Sequence, residues 1–495
     1  MFKKLLIANR GEIAVRIART CRDLGISTVA VYEVGDMGAL HVRLADEAFM
    51  LTSAQGYRDP RELLAVAQRS GADVIHPGYG LVSEDVGFEQ ACEAAGITPI
   101  GPGSGPLAQV RDRVEAVTRV GAAGLPTTQP SSRSFAPEDG AALLAEADQL
   151  GYPLVVKSCA GGRGRGTAIA RTADDLLAVV RRSSAQAQAA YRDGQIYLEA
   201  AILPSRYIEV PILGDVFGNV IHMGDRDGSI QRNTRKVVTE APAPGLSSSD
   251  REAIWQSALT IARLFALHGA CTIEFVVDST GRHFFTEVKP RIQVEHLVTE
   301  MISRIDVVRE QIRIAAGLPL ERSQDQVYLE GHAIFCRVNA EDPWHGYLPS
   351  PGRIGSFQLP GGPNVRVDTY AYAGAEVPVR YDSLLAKLVV WGATREETIQ
   401  RTQRALQEIR IGGIQTNLSL IRLIIAHAEF VSGSYTTEFS RVRLLDALPL
   451  PPAERLRDLA AIAALAFLQH TQTVHPAIPQ AYTSGWHRES RRLPD

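Results

Sequence analysis

Three features of the sequence predict a multidomain chain of mixed α/β and α+β class. Residues 4 to 32 read as strand, turn and helix followed by the strand Ser27-Thr-Val-Ala-Val-Tyr32, a βαβ unit of a parallel sheet. The strand Tyr152-Pro-Leu-Val-Val-Lys157 runs toward the glycine loop Ala160-Gly-Gly-Arg-Gly-Arg-Gly166. From about residue 331 the chain turns strand-rich, with frequent turn residues such as Gly352-Arg-Ile-Gly355. A length of 495 residues leaves room for three or four domains, and 45% hydrophobic with 22% charged residues suits large cores rather than disorder.

In chain order, the first turn, Asn9-Arg-Gly11, carries one glycine and not the GxGxxG series. It therefore lacks the backbone cradle of a dinucleotide site, although Glu33 ends the second strand where a ribose-binding acid would sit. A further strand and turn follow at Val74-Ile-His-Pro-Gly-Tyr-Gly80, and breakers at Gly101-Pro-Gly-Ser-Gly-Pro106 and Thr127-Thr-Gln-Pro-Ser-Ser-Arg-Ser134. The glycine loop lets backbone N–H groups approach a polyphosphate and close over it, but no Gly-Lys-Ser/Thr ends it as in a Walker loop. Glu287-Val-Lys-Pro-Arg-Ile-Gln-Val-Glu-His296 reads as a strand opening into a polar pocket. On an extended chain Glu287, Lys289, Arg291, Gln293 and Glu295 share one face, and a face so charged needs a ligand, a metal or water opposite it. Beyond 445, Leu448-Pro-Leu-Pro-Pro452 reads as a stiff linker. Ala453 to Gln469 reads as a helix with leucines at 456, 459, 465 and 468, expected either to dock on a partner or a sister subunit or to fold back on its own chain. A fraying polar tail follows His470.

A formal net charge of −3 offers no bulk attraction to nucleic acid or anionic lipid, so anions must be bound by local Arg and Lys clusters. No apolar run is long enough to span a bilayer, and Met1-Phe-Lys-Lys leads into too short an apolar stretch for a signal peptide. Five scattered cysteines without CxxC spacing argue against a zinc site and a disulfide framework. A cytoplasmic location is expected.

A series of motifs over about residues 1 to 445 resembles biotin carboxylase, the ATP-grasp subunit or domain of biotin-dependent carboxylases such as acetyl-CoA carboxylase. It comprises Ile7-Ala-Asn-Arg-Gly-Glu-Ile-Ala14, His76-Pro-Gly-Tyr-Gly80, Lys236-Val-Val-Thr-Glu-Ala-Pro-Ala-Pro244, Arg291-Ile-Gln-Val-Glu-His296, Arg337-Val-Asn-Ala-Glu-Asp-Pro343, Leu348-Pro-Ser-Pro-Gly352 and Ile411-Gly-Gly-Ile-Gln-Thr-Asn417. The resemblance implies a Rossmann-like pre-ATP-grasp domain over 1–112 and an ATP-grasp domain over 113–330 with a mobile lid at about 131–203. A strand-rich C-terminal biotin carboxylase domain over 331–446 and a linker, helix and tail over 447–495 complete the expected organisation. It implies ATP- and bicarbonate-dependent carboxylation of biotin. Because no Met-Lys-Met motif occurs, the biotin belongs to a separate biotin carboxyl carrier protein. Carboxyltransferase subunits and a homodimer or higher oligomer are the other implied partners.

By the same resemblance Glu295 is the base toward bicarbonate, which Lys236, Arg291, Gln293 and the backbone at Val294 hold, and Arg337 stabilises the biotin enolate. Glu274 and Glu287 hold magnesium (or manganese), an ion suited to carboxylate and phosphate oxygens. Arg113, Lys157, Gly162, Gly164, Glu199 and Ile202 complete the ATP site. Several positions depart from the family pattern. Lys289 replaces the asparagine two residues after the second metal glutamate, Arg113 a lysine, Tyr207 and Thr234 two histidines, Ala200 a lysine, and Arg163 interrupts the glycine loop. These changes gather on the nucleotide side and raise a second expectation, a non-catalytic or regulatory paralogue with impaired ATP use.

Overall fold

The computed structural model describes residues 1–159, 167–232, 235–343, 345–442 and 453–471. Residues 1–445 form one unit and 446–495 another. Gly162, Gly164, Arg163, Thr234 and the tail after 471 lie outside the described residues.

The first unit begins with a five-stranded parallel sheet ordered Glu47–Met50, Ser27–Tyr32, Lys4–Ile7, Val74–His76, Thr98–Pro99. Leu5, Leu6, Ile7, Val29 and Val31 are buried on both of its faces, as central parallel strands are. The βαβ unit closes with the helix Gly11–Asp23. Its first turn is tied down by protein: Asn9 Nδ2 donates to the carbonyls of Pro77 at 2.6 Å and Tyr79 at 2.9 Å. A Cβ on Gly78, whose φ is +62°, would sit 2.9 Å from that nitrogen, so a residue with a side chain does not fit the turn. Glu33 accepts from Tyr381 Oη at 2.5 Å and pairs with Arg380 at 3.3 Å. The acid that a ribose would require is engaged by the chain itself.

Residues 135–200 have their own small core. Three antiparallel strands, ordered Ala168–Ala170, Leu154–Ser158, Ile196–Ala200, pack with the helices Gly140–Leu150 and Ala173–Tyr191 around Leu143, Leu154, Val156, Leu176 and Val180. Thr172 and Asp175 form a reciprocal capping box at the start of the longer helix.

A large antiparallel sheet carries the rest. Its order is His283–Lys289, Gly269–Asp278, Ser205–Gly214, Arg226–Arg232, Arg235–Ala241, His332–Asn339, Leu384–Gly392, Val365–Thr369, with Val220–His222 paired beside Ser205–Gly214. The sheet runs straight through residue 331, where the sequence changes character, because Val238 pairs with Cys336. On one face Ile208, Val210, Ile273 and Phe275 pack against Ile254, Ala258 and Ile261 of the helix Ser248–Leu264. Strand alternation turns Tyr207, Glu209 and Glu274 to the other face, where the charged residues collect.

The five cysteines are free. Among the described residues no helix is long and apolar enough to cross a membrane. The second unit holds the helix Ala453–Thr471, two residues longer than the spacing predicts, with Leu459, Ile462, Leu465 and Leu468 exposed.

Candidate active site

The charged face is organised by strand register. Arg226 lies opposite Glu209, Glu209 opposite Glu274, and Glu274 opposite Glu287, a row of four charged residues across four strands. A bulge makes the last pairing: Phe275 pairs with Phe285 but Glu274 with Glu287, so Thr286 is the extra residue. Phe285 and Glu287 would otherwise share a face. The bulge lets Phe285 enter the apolar core while Glu287 joins the polar row.

The expectation that one strand presents Glu287 through Glu295 on a single face is wrong. The strand ends at Lys289, because Pro290 has no N–H to continue the ladder, and 290–294 form an irregular turn. Glu295 is the N-cap residue of the helix His296–Ser303. Glu287 and Lys289 do share a face, with Lys289 Nζ 2.7 Å from Glu287 Oε2.

The side chains in the row are closely paired. Arg226 Nε donates to Glu209 Oε2 at 2.7 Å, and Lys236 Nζ reaches both Glu209 Oε1 and, at 3.2 Å, Glu274 Oε1. A side chain at Gly228 would press on Lys236, since a Cβ there lies 2.8 Å from Lys236 Cε. Gln293 donates to Glu274 Oε1 at 2.7 Å and Glu209 Oε1 at 3.1 Å, and accepts from Arg226. Tyr207 Oη donates to Glu274 Oε2 at 2.5 Å and stands 3.4 Å from Glu287 Oε1. Arg113, at the start of the helix Arg113–Ala122, donates to Glu287 Oε2 at 2.5 Å and to the Ser158 carbonyl at 3.5 Å. It thereby joins the strand Leu154–Ser158 to the charged row.

Other expected residues stand around this row. Lys157 holds both oxygens of Glu199 at 2.8 Å across neighbouring strands, and Ile202 follows in the connection to Ser205–Gly214. Arg291 Nε donates to Glu84 at 2.7 Å, and Val294 is half-buried in the turn. Arg337 donates to both oxygens of Asp382 at 3.2 and 3.1 Å, although Glu341 and Asp342 are nearer in sequence. Lys236 and Arg337 line one cleft with Arg232, Arg235, Tyr347 and Asn417.

Glu295 differs from its neighbours. It is buried, and among the described residues no side chain donates a hydrogen bond to its carboxylate. Burial pushes its carboxyl up, but Lys236, Arg226 and Arg337 outweigh burial and hold it below the ordinary range. The same contest, with Arg226 and Lys236 at closer range, holds Glu209 at about 2. Burial lowers the Lys236 ammonium, yet Glu209, Glu274 and Glu295 keep it above its ordinary value.

Glu274 and Glu287 offer hard oxygens on adjacent strands, the donor type magnesium prefers. Among the described residues no group of three or more His, Cys, Asp or Glu is placed to hold a metal ion. An ion at this pair therefore needs phosphate oxygens to complete its shell, which is how magnesium usually joins a nucleotide site. Sequence reasoning overlooked Glu209, Arg226, Glu84 and Asp382. The alternation of Tyr207 and Glu209 on one strand was a usable clue for the first, whereas the other three contribute through distant pairing.

Family comparisons agree along the chain. Models described as biotin carboxylase N-terminal domain, carbamoyl-phosphate synthase L chain ATP-binding domain and biotin carboxylase C-terminal domain match residues 1–107, 112–323 and 335–441. Biotin carboxylase 1 of Bacillus subtilis is 42% identical over 443 residues, 89% of this chain and 98% of the relative. Biotin carboxylase of Nostoc is 44% identical over 441 residues, 88% of this chain and 98% of the relative. Among solved structures, the biotin carboxylase domain dimer of Hydrogenobacter thermophilus 2-oxoglutarate carboxylase, with MgADP, ADP and bicarbonate, is 40% identical. It superposes with a TM-score of 0.86 over 89% of this chain and 97% of its own. Campylobacter jejuni biotin carboxylase in a β,γ-ATP complex is 37% identical, with a TM-score of 0.85 over 89% of this chain and 99% of its own. With a parallel N-terminal sheet, an antiparallel ATP-grasp layer and this similarity over most of its length, the chain belongs to the biotin carboxylase family.

Proposed function

We propose that the chain carboxylates biotin on a separate carrier protein at the expense of ATP and bicarbonate, the first half-reaction of a biotin-dependent acyl-CoA carboxylase. The reading is supported by Glu295, an ionised carboxylate that stands among cations without a side-chain donor among the described residues, in a chain whose relatives are biotin carboxylases. Such a group suits a base toward bicarbonate. Lys236 and Arg291 neutralise the anion, with Gln293 and the Val294 backbone as further donors. Attack of bicarbonate on the γ-phosphorus forms carboxyphosphate and releases ADP. Carboxyphosphate breaks to carbon dioxide and phosphate, and the phosphate takes the ureido proton of biotin. The enolate that results, stabilised by Arg337, adds to carbon dioxide.

Arg113, Lys157, Glu199 and Ile202 are assigned to the nucleotide, with Glu274 and Glu287 on its magnesium or manganese ion. Bound there, the ion would offset phosphate charge. Gly162 and Gly164, outside the described residues, are assigned to the phosphates from the sequence pattern alone. The domains are assigned as 1–112, 113–330 with a lid at about 131–203, 331–446, and 447–495. A carrier protein, carboxyltransferase subunits and a second copy of the chain are the proposed partners, the last by analogy with the H. thermophilus domain dimer. No observation favours the non-catalytic alternative.

The test is ATP hydrolysis measured with and without bicarbonate and free biotin. Hydrolysis that rises with bicarbonate, together with carboxybiotin formation, is expected. Hydrolysis indifferent to both would overturn the proposal.

A further inference from the structure

Three of the four oxygens of the Glu274–Glu287 pair already accept from the chain. Glu274 Oε1 accepts from Lys236 and Gln293, and Glu274 Oε2 from Tyr207. Glu287 Oε2 accepts from Arg113 and lies 2.7 Å from Lys289 Nζ, and Glu287 Oε1 faces Tyr207 Oη at 3.4 Å. With Glu209 and its partner Arg226 included, three carboxylates face four cations. A protein site that captures a free divalent ion normally presents surplus negative charge and several oxygens. Here the carboxylates, Glu295 beside Lys236 and Arg226 included, are matched by cations and three of the four pair oxygens are engaged, so no surplus negative charge draws a free ion, whereas a polyanion can contact the same cations.

We propose that Lys289 and Arg113 are built-in counter-charges at Glu287. The pocket then binds no divalent ion by itself and takes in a single one, carried on the phosphates of a nucleoside triphosphate. This rests on the nucleotide reading above and makes Lys289 a determinant of metal stoichiometry. Lys289 is 7% exposed and held against Glu287 by a short strand that ends at Lys289 itself. Swinging it aside for a second ion would bury an unpaired ammonium beside a divalent charge, two unfavourable changes at once. The lone ion has its best approach on the side of Glu287 Oε1, whose nearest polar neighbour is the neutral Tyr207 hydroxyl at 3.4 Å, its proton given to Glu274.

The experiment is equilibrium binding of manganese, read from the free-ion electron paramagnetic resonance signal, with and without a non-hydrolysable ATP analogue. Wild-type protein should bind no manganese alone and one ion per chain with the analogue. Lys289→Asn, which replaces the ammonium by a neutral oxygen donor, should bind a second ion in the presence of the analogue. Lys289→Met, which removes charge without adding a ligand, should stay at one ion but bind it more tightly. Two ions on the wild type, one ion on the wild type alone, or a Lys289→Asn stoichiometry equal to wild type would each overturn the proposal. The wild-type measurement decides even if neither variant folds. Analogue binding is followed separately by calorimetry: its absence at any manganese concentration would remove the nucleotide reading and this inference with it, whereas binding with two ions removes the inference alone.

Discussion

The Glu209–Glu274–Glu287 row and Glu295 are neighbouring sets of buried or part-buried carboxylates with opposite circumstances. Each carboxylate of the row is held by Arg, Lys, Tyr or Gln side chains at hydrogen-bond distance. Glu295 feels the cations Lys236, Arg226 and Arg337 without accepting a side-chain hydrogen bond among the described residues. Both environments keep a carboxylate ionised, but the second, which takes a hydrogen bond from the backbone at Glu295 and none from a side chain among the described residues, leaves lone pairs open to a proton. Ionisation alone therefore does not identify a base. The combination of nearby cations and open acceptor capacity does.

The largest expected effect tests the open member. Glu295→Gln keeps shape and removes the base, so bicarbonate-dependent ATP cleavage should fall by about two to four powers of ten. Nucleotide affinity, measured by calorimetry, should stay within a few-fold. Unchanged turnover would take Glu295 out of the mechanism.

A held carboxylate should instead report on stability. Glu209→Ala strands the buried Arg226 guanidinium and should cost about 3–5 kcal/mol in urea unfolding, the usual penalty for breaking a buried pair. The pH dependence carries the same sign. Glu209 is held at about 2 when folded, so its contribution is complete above the ordinary carboxylate range and is lost as pH falls toward 2. The variant's stability should vary less with pH across that acid window, and an identical acid limb in both proteins would put Glu209 outside the network.

Arg337→Ala sharpens the comparison from the cation side. Losing a stabiliser of the biotin enolate should reduce carboxybiotin formation by about 10²-fold or more, while bicarbonate-dependent ATP cleavage suffers less. Equal losses in the two assays would contradict this division of labour. The ATP cleavage that remains should show its acid limb at higher pH, because one of the cations holding the Glu295 carboxyl down has gone. The smallest effect concerns the second unit. Truncation after Pro451 should leave bicarbonate-dependent ATP cleavage unchanged, since the candidate residues all lie within 1–445, yet lower oligomeric mass or carrier capture if the Ala453–Thr471 helix docks as its apolar residues suggest. A truncated chain with unaltered mass and capture removes that role.

The sequence by itself determined the βαβ opening, the absence of a glycine cradle in its first turn, the strand that carries Glu287, the C-terminal helix and the family. These depend on local patterns: apolar periodicity, turn residues and motifs a few residues long. Tertiary structure alone decided what each charged residue touches. Pro290 ended the strand that alternation would have carried on to Glu295, and a bulge at Thr286 placed Phe285 in the core while Glu287 entered the site. Arg337 passed over Glu341 and Asp342 for Asp382, and Arg291 reached back to Glu84. The physical reason is that strand register and long-range ion pairing are set by how separate elements pack together, and a single inserted residue reverses which face a side chain occupies.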